Sequence, residues 1–219
     1  MCGRFTITMS ADDVHEQLEL GELPRDWQPR YNVAPTQPVA AVTDAHSRQV
    51  EWLRWGLIPY WAKDIKIGYK LINARIEGIE EKPSFRQAFH KRRCIVPFDG
   101  YYEWQKTQEG KIPYRIQLKN TEIFTIAGLY EHWKDPKGEV IHSFTLITHD
   151  ADPVIRHLHD RQPLVLLPEQ EKLWLDPDIP SKDLIHELDP VPGEYFTWYR
   201  VSDRVNNVRE NDEGLIEAV

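Results

Sequence analysis

Sixteen prolines and eleven glycines divide these 219 residues into short segments. The segments between those breaks carry the chemistry of strands. They are rich in Val, Ile, Phe, Tyr and Trp and are bounded by turn residues. Strands are expected at Val39–Thr43, Glu51–Leu57, Cys94–Pro97, Tyr114–Leu118, Phe124–Leu129, Ser143–Thr148, Leu164–Leu167 and Phe196–Val201. Helical patterns are fewer. Ser10–Leu20 starts on a plausible cap and places Val14 and Leu18 on one face. Ser84–Arg92 opens Ser-Phe-Arg-Gln, which fits a capping box, and pairs Phe85 with Phe89. Asp152–Leu158, Pro168–Leu175 and Ser181–Leu188 are the other helix candidates. Helices do not alternate with strands as a doubly wound sheet requires. The expected fold is α+β: a single domain over residues 1–219, with a mixed or antiparallel, barrel-like sheet and peripheral helices.

Several function classes drop out. The two cysteines, Cys2 and Cys94, make no disulfide scaffold, and without a CxxC no zinc ribbon is expected. There is no GxGxxG or P-loop, so nothing supports a nucleotide cofactor. No apolar run approaches the roughly 18 residues of a membrane span. The start, Met-Cys-Gly-Arg-Phe, lacks a signal-peptide core, so a cytoplasmic, reducing setting is the expectation.

The formal charge of −8 argues at first sight against nucleic acid. Localising it reverses that inference. Residues 1–168 hold 22 acidic and 22 basic side chains, and residues 169–219 hold 13 and 5. The stretch 82–98 contains Lys82, Arg86, Lys91, Arg92 and Arg93 and no acid. That run is either a solvated helix face or, with Trp61 and the aromatics at 101–104, part of a single-strand site where bases stack and cations track phosphates. The expectation is a confined positive channel with an acidic back or rim.

Cys2 carries the most specific chemistry. If Met1 is removed, Cys2 holds an α-amine and a thiol on adjacent carbons. Their unperturbed pKa values are roughly 7.7–8.0 and about 8.5, so both are partly unprotonated near neutrality. Such a 1,2-aminothiol condenses with an aldehyde to a Schiff base, and the thiolate then closes a thiazolidine. The competing reading is a small apolar residue packed by chance.

The rest of the chain bears on that choice. It reads Cys-Gly-Arg-Phe at 2–5, Tyr-Asn-Val-Ala-Pro at 31–35, Trp-Gly-Leu-Ile-Pro-Tyr-Trp at 55–61 and Asn-Ala-Arg-Ile-Glu at 73–77. Lys-Pro-Ser-Phe-Arg follows at 82–86, Arg-Cys-Ile-Val-Pro at 93–97, Gly-Tyr-Tyr-Glu-Trp at 100–104 and His-Asp-Arg-Gln-Pro at 159–163. This ordered series resembles the SOS response-associated peptidase (SRAP) family of abasic-site processing proteins, and Val205–Val208 resembles its closing segment. The resemblance implies a single barrel-like α+β domain that needs no cofactor. It implies a monomer whose partner is single-stranded DNA bearing an abasic site, captured covalently by Cys2.

By the same resemblance, Glu103 handles the Cys2 amine. A buried carboxyl there would hold its proton more tightly, whereas an exposed Glu on an alternating strand would do nothing of the kind. His159 is matched to opening the closed sugar, against a loop histidine bonded to Asp160. Asn73 is matched to orienting the sugar or the amine, against an Asn bonding local backbone. Arg75 would share Asn73's strand face and can grip a phosphate. Arg4 and Arg161 match channel arginines, with Asn32, Pro35, Trp61, Arg86 and Thr148 as further DNA contacts. The chain departs from the family pattern at Gly78 and Gln162, next to two of these segments. Two other readings stay open: an N-terminal-nucleophile amidohydrolase, and a single-strand binding module in which Cys2 is incidental.

Overall fold

The computed structural model describes residues 2–219; Met1, and with it any statement on its removal, lies outside the described residues. The strands are β1 (Phe5–Ile7), β2 (Arg30–Val33), β3 (Pro38–Val42), β4 (Val50–Trp55), β5 (Asn73–Arg75), β6 (Arg93–Phe98) and β7 (Gly100–Thr107). They continue with β8 (Gly110–Leu118), β9 (Phe124–Lys134), β10 (Val140–Asp150), β11 (Arg161–Pro163), β12 (Val165–Leu166) and β13 (Phe196–Arg200). Four helices, α1 (Ala11–Leu18), α2 (Arg86–Lys91), α3 (Pro168–Leu175) and α4 (Ser181–Glu187), lie between them.

Five strands close on themselves. β10 runs parallel to β4, β4 pairs with β3, β3 with β6, β6 with β9, and β9 antiparallel back to β10. Closure leaves the ring without a free edge. A second sheet, in the order β13-β8-β7-β1-β2, packs on it through a shared core containing Phe5, Phe98, Tyr101 and Phe144. The α+β, barrel-like expectation is met.

The chain passes from barrel to second sheet at Asp99, between β6 and β7. Its buried carboxylate accepts from the Thr6 hydroxyl, the Thr8 N–H and hydroxyl, and Arg115 at 3.1 Å. A buried charge persists only when so compensated. The effect is to fix β1, and the arm in front of it, against β7 and β8.

Some local expectations differ. Asp152–Leu158 is a series of turns and not a helix. The Asp152 side chain takes the Val154 N–H and its carbonyl takes the N–H groups of Ile155 and Arg156, so hydrogen bonds close too early to propagate. The helix within Ser84–Arg92 begins at Arg86, and Phe85 at its cap makes no side-chain bond, so the capping box is absent. Phe85 and Phe89 are nevertheless both buried, and that packing holds the helix. Ser10 caps α1 as expected, accepting from the Asp13 N–H.

Gly128 on β9 sits between Cys94 of β6 and Leu146 of β10. A Cβ there would lie 2.9 Å from Cys94 Sγ and 3.0 Å from the Thr145 carbonyl. Gly128→Ala should therefore destabilise the barrel by about 1–3 kcal/mol, read as a lower urea midpoint. Adding Cys94→Ala should return part of the loss. An unchanged midpoint in the single variant would contradict this packing.

Candidate active site

The arm ahead of β1 continues its pairing with β7: Phe5 lies opposite Tyr101, and the Tyr102 N–H donates to the Arg4 carbonyl at 2.9 Å. Continuing that register brings the start of the chain alongside Glu103. Cys2 is fully buried. Burial pushes its thiol well above the ordinary range, the charge of Glu103 adds to this, and the Arg4 N–H works against it.

Asn73 reaches the arm from the barrel side. β5 hangs on β10, with Asn73 opposite Leu146, and the Asn73 Nδ2 donates to the Cys2 carbonyl at 2.8 Å. Asn73 Oδ1 is buried and has no hydrogen-bond partner among the described residues.

Glu103, in the middle of β7, is 3 % exposed. Desolvation pushes its carboxyl up from 4.5 to about 7, and the charge of Asp160 acts in the same direction. His159 precedes Asp160, and its Nδ1 lies 2.8 Å from the Asp160 carboxylate. The same Nδ1 lies 3.0 Å from the Arg161 N–H. The two contacts require opposite protonation at that nitrogen. Desolvation holds the imidazole below its ordinary value. A neutral ring accepting from Arg161, with the proton on Nε2, is therefore the consistent form.

Asn73 also lines a cleft of about 520 Å3, together with Arg75, Thr148 and Arg161. Lys70, Lys82 and Phe85 complete one side, and Glu77 and Asp150 bring carboxylates. Four cations thus meet two acids, and both acids bond Arg161. Arg75 is exposed, whereas Thr148 is buried and its carbonyl takes Arg161 Nη2 at 2.8 Å. Trp61 stands exposed beyond the rim, its indole N–H 3.4 Å from the Pro83 carbonyl.

Other expected contacts are elsewhere. Asn32 is buried, and its amide nitrogen donates to the carbonyls of Val205, Asn207 and Glu210. Its oxygen receives Arg4 Nη1 at 2.6 Å, and the same nitrogen donates to the Val205 carbonyl. Arg4 further lies over the Trp104 ring at 5.7 Å. These two residues hold the C-terminal segment, and neither lines the cleft. Pro35 is half-buried in the turn after β2, and Arg86 is exposed at the start of α2; neither lines the cleft.

The basic run at 82–98 also divides. Arg93 is buried and donates to the carbonyls of Phe89, Trp174 and Asp176, tying α2 to the end of α3. Arg92 pairs with Glu131 at 2.8 Å. Only Lys82, Arg86 and Lys91 of the five stand exposed. The acidic C-terminal part is not confined to a distant back. Asn211 takes the Tyr31 N–H at 2.8 Å, and Glu213 takes the Tyr31 hydroxyl at 3.3 Å, beside Arg4 and Asn32.

Sequence reasoning missed Lys70, Glu77, Asp150 and the exposed Tyr60 and Tyr69. A signal existed for three of them: residues 60–70 interleave Lys63, Lys66 and Lys70 with Tyr60, Trp61 and Tyr69, as basic single-strand sites do. It also missed Tyr101, whose fully buried hydroxyl has no hydrogen-bond partner among the described residues.

This geometry has known counterparts. A family model described as SOS response associated peptidase (SRAP) matches residues 1–208. The abasic site processing protein YoqW of Bacillus subtilis is 44% identical over 223 residues, covering all of both chains. The abasic site processing protein HMCES of Xenopus tropicalis is 32% identical, covering all of this chain and 78% of that one. A crystal structure of a Bacteroides thetaiotaomicron protein superposes with a TM-score of 0.91 at 29% identity over the whole of both chains. Matched along its length by family model and by sequence, with the same fold in a solved relative, the chain belongs to the SOS response associated peptidase family.

Proposed function

We propose that this protein processes abasic sites in single-stranded DNA by forming a covalent crosslink through Cys2 once Met1 is removed. The observation that carries the reading is the convergence on one buried residue. Asn73 holds the Cys2 carbonyl, burial raises the thiol, and the charge of Glu103, whose carboxyl is pushed up to about 7, adds to that rise. The names of the relatives, abasic site processing proteins, support the substrate.

The abasic sugar is mostly a closed hemiacetal. His159 gives its Nε2 proton to the ring oxygen and takes the proton of the anomeric hydroxyl at the same nitrogen, which frees the aldehyde. The neutral Cys2 amine adds to the aldehyde carbon. Glu103 accepts a proton from the nitrogen and delivers one to the departing hydroxyl, so water leaves and an imine remains. The Cys2 sulfur then adds to the imine carbon while its proton passes to the nitrogen, closing the thiazolidine. One water is lost in total and no redox partner is needed. Burial favours this course, because it disfavours the ammonium form of the amine and leaves the nitrogen lone pair available. Arg75, Lys70 and Lys82, with Trp61 outside the rim, supply phosphate and base contacts for the strand in the cleft.

Cys2→Ala should abolish the denaturation-resistant adduct with an abasic single-stranded oligonucleotide on a denaturing gel, with the circular dichroism spectrum unchanged. Cys2→Ser, like Cys2→Ala, keeps the α-amine but cannot form the sulfur ring. Both should give only a labile imine adduct and more strand cleavage. A denaturation-resistant adduct in Cys2→Ala would show that the chemistry lies elsewhere.

Glu103 gives a pH test. Its carboxylate form acts as base, so the logarithm of the crosslinking rate should climb with unit slope up to about pH 7 and then level. Glu103→Gln should lose this inflection and fall by about 10²–10⁴-fold. Stability moves the other way. With its pKa raised from 4.5 to about 7, the folded state holds a proton that the unfolded chain releases. Stability is therefore lost as pH rises from about 4.5 to 7, by about 3 kcal/mol in all, and is level above that. Glu103→Gln should raise the urea midpoint at pH 8 and leave it unchanged near pH 4. A midpoint gain at both pH values would contradict this origin.

A further inference from the structure

Arg161 is the most heavily bonded cation of the cleft, and its partners differ in kind. Its side chain is 5 % exposed. Nη2 donates to the Thr148 carbonyl at 2.8 Å and to Glu77 Oε2 at 2.7 Å, while Nη1 donates to Glu77 Oε1 at 3.1 Å. Glu77 thus engages the guanidinium with both oxygens, the geometry that fixes its plane. Nη1 has one further acceptor, Asp150 Oδ1 at 2.5 Å. Asp150 stands directly across from Arg161 in the β10–β11 ladder, binds with one oxygen, and its side chain is 76 % exposed. Held by one oxygen on the more exposed of the two carboxylates, this contact is the more easily exchanged, Glu77 being bidentate and 50 % exposed. Asp150 lines the same cleft as Arg75, Lys70 and Lys82.

We propose that Asp150 is a built-in substitute for a DNA phosphate: it occupies Arg161 Nη1 in the empty cleft and is displaced when a strand enters, while Glu77 stays as the orienting partner. The inference rests on the reading of this cleft as a single-strand site. It makes Asp150 a residue that sets selectivity. An incoming anion must outcompete a tethered carboxylate, so isolated anions are held poorly, whereas a strand that also engages the neighbouring cations succeeds. It also means that Arg161 enters binding already neutralised, so capture of a phosphate releases fewer counterions than a bare arginine would.

The test is equilibrium binding of an intact single-stranded oligonucleotide without an abasic site, followed by fluorescence anisotropy across a salt series. Asp150→Asn should bind about 5-fold more tightly at low salt, with the log–log salt slope steeper by roughly 0.7. Asp150→Ser should behave alike, which covers a local folding defect in either variant. Glu77→Gln removes the same charge but frees the guanidinium plane, and should show no gain. Asp178→Asn, in a separate pocket beside Pro177 and Lys182, should match the wild type. Unchanged affinity and slope in both Asp150 variants would overturn the proposal, as would an equal gain in Glu77→Gln or Asp178→Asn, since net charge alone would then explain it. Failure of the functional reading looks different: the wild type itself would neither bind single strands nor form an adduct with abasic ones.

Discussion

The hydrogen bond from Asn73 Nδ2 to the Cys2 carbonyl joins two sheets that also share an apolar core. Asn73 rides on β5, which depends on β10 and so on closure of the barrel. Cys2 rides on the arm of β1, which depends on the Asp99 network and the pairing with β7. Neither part would place the nucleophile alone. Since the bond uses the carbonyl of Cys2, it fixes the residue's position without consuming its nitrogen or sulfur. This is a physical reason why a three-residue arm can carry chemistry that needs precise placement.

The same burial that fixes the arm sets its protonation. The Cys2 thiol and the Glu103 carboxyl both resist ionisation, and the His159 imidazole stays neutral. A site of neutral groups suits a condensation between an amine and an aldehyde, in which an ammonium ion is inert. It suits a thiolate nucleophile less well, so sulfur addition to an already formed imine, with its proton passing to nitrogen, fits the environment better than sulfur attacking first. Keeping Glu103 buried costs stability above neutrality, and such costs cluster where function needs them.

Strand chemistry made the barrel legible, since Val39–Thr43, Cys94–Pro97, Phe124–Leu129 and Ser143–Thr148 each lie in or overlap a ring strand. Short strands escaped notice: β1 is three residues long and owes its form to Asp99 and β7 more than to its own sequence. Arg92 and Arg93 show why a charge run misleads. Nothing local says that one pairs with Glu131 and the other ties α2 to α3. The anchoring bonds of Asn32 were hidden for a similar reason, because the carbonyls it serves are more than 170 residues away in sequence. Cys2, Asn73, Glu103 and His159 stood out through motif order, while Glu77 and Asp150 gained meaning only when the cleft brought them to Arg161. Gly78, where the family pattern is broken, has a φ of +67°, a conformation glycine adopts without strain.

The most direct measurement is the intact mass of the purified protein before and after incubation with an abasic single-stranded oligonucleotide, with the adduct then digested and its attachment point sequenced. The account predicts a protein lacking Met1, an adduct mass equal to protein plus DNA minus one water, and attachment at Cys2. An adduct formed with Met1 still in place, or one attached through a lysine, would contradict it.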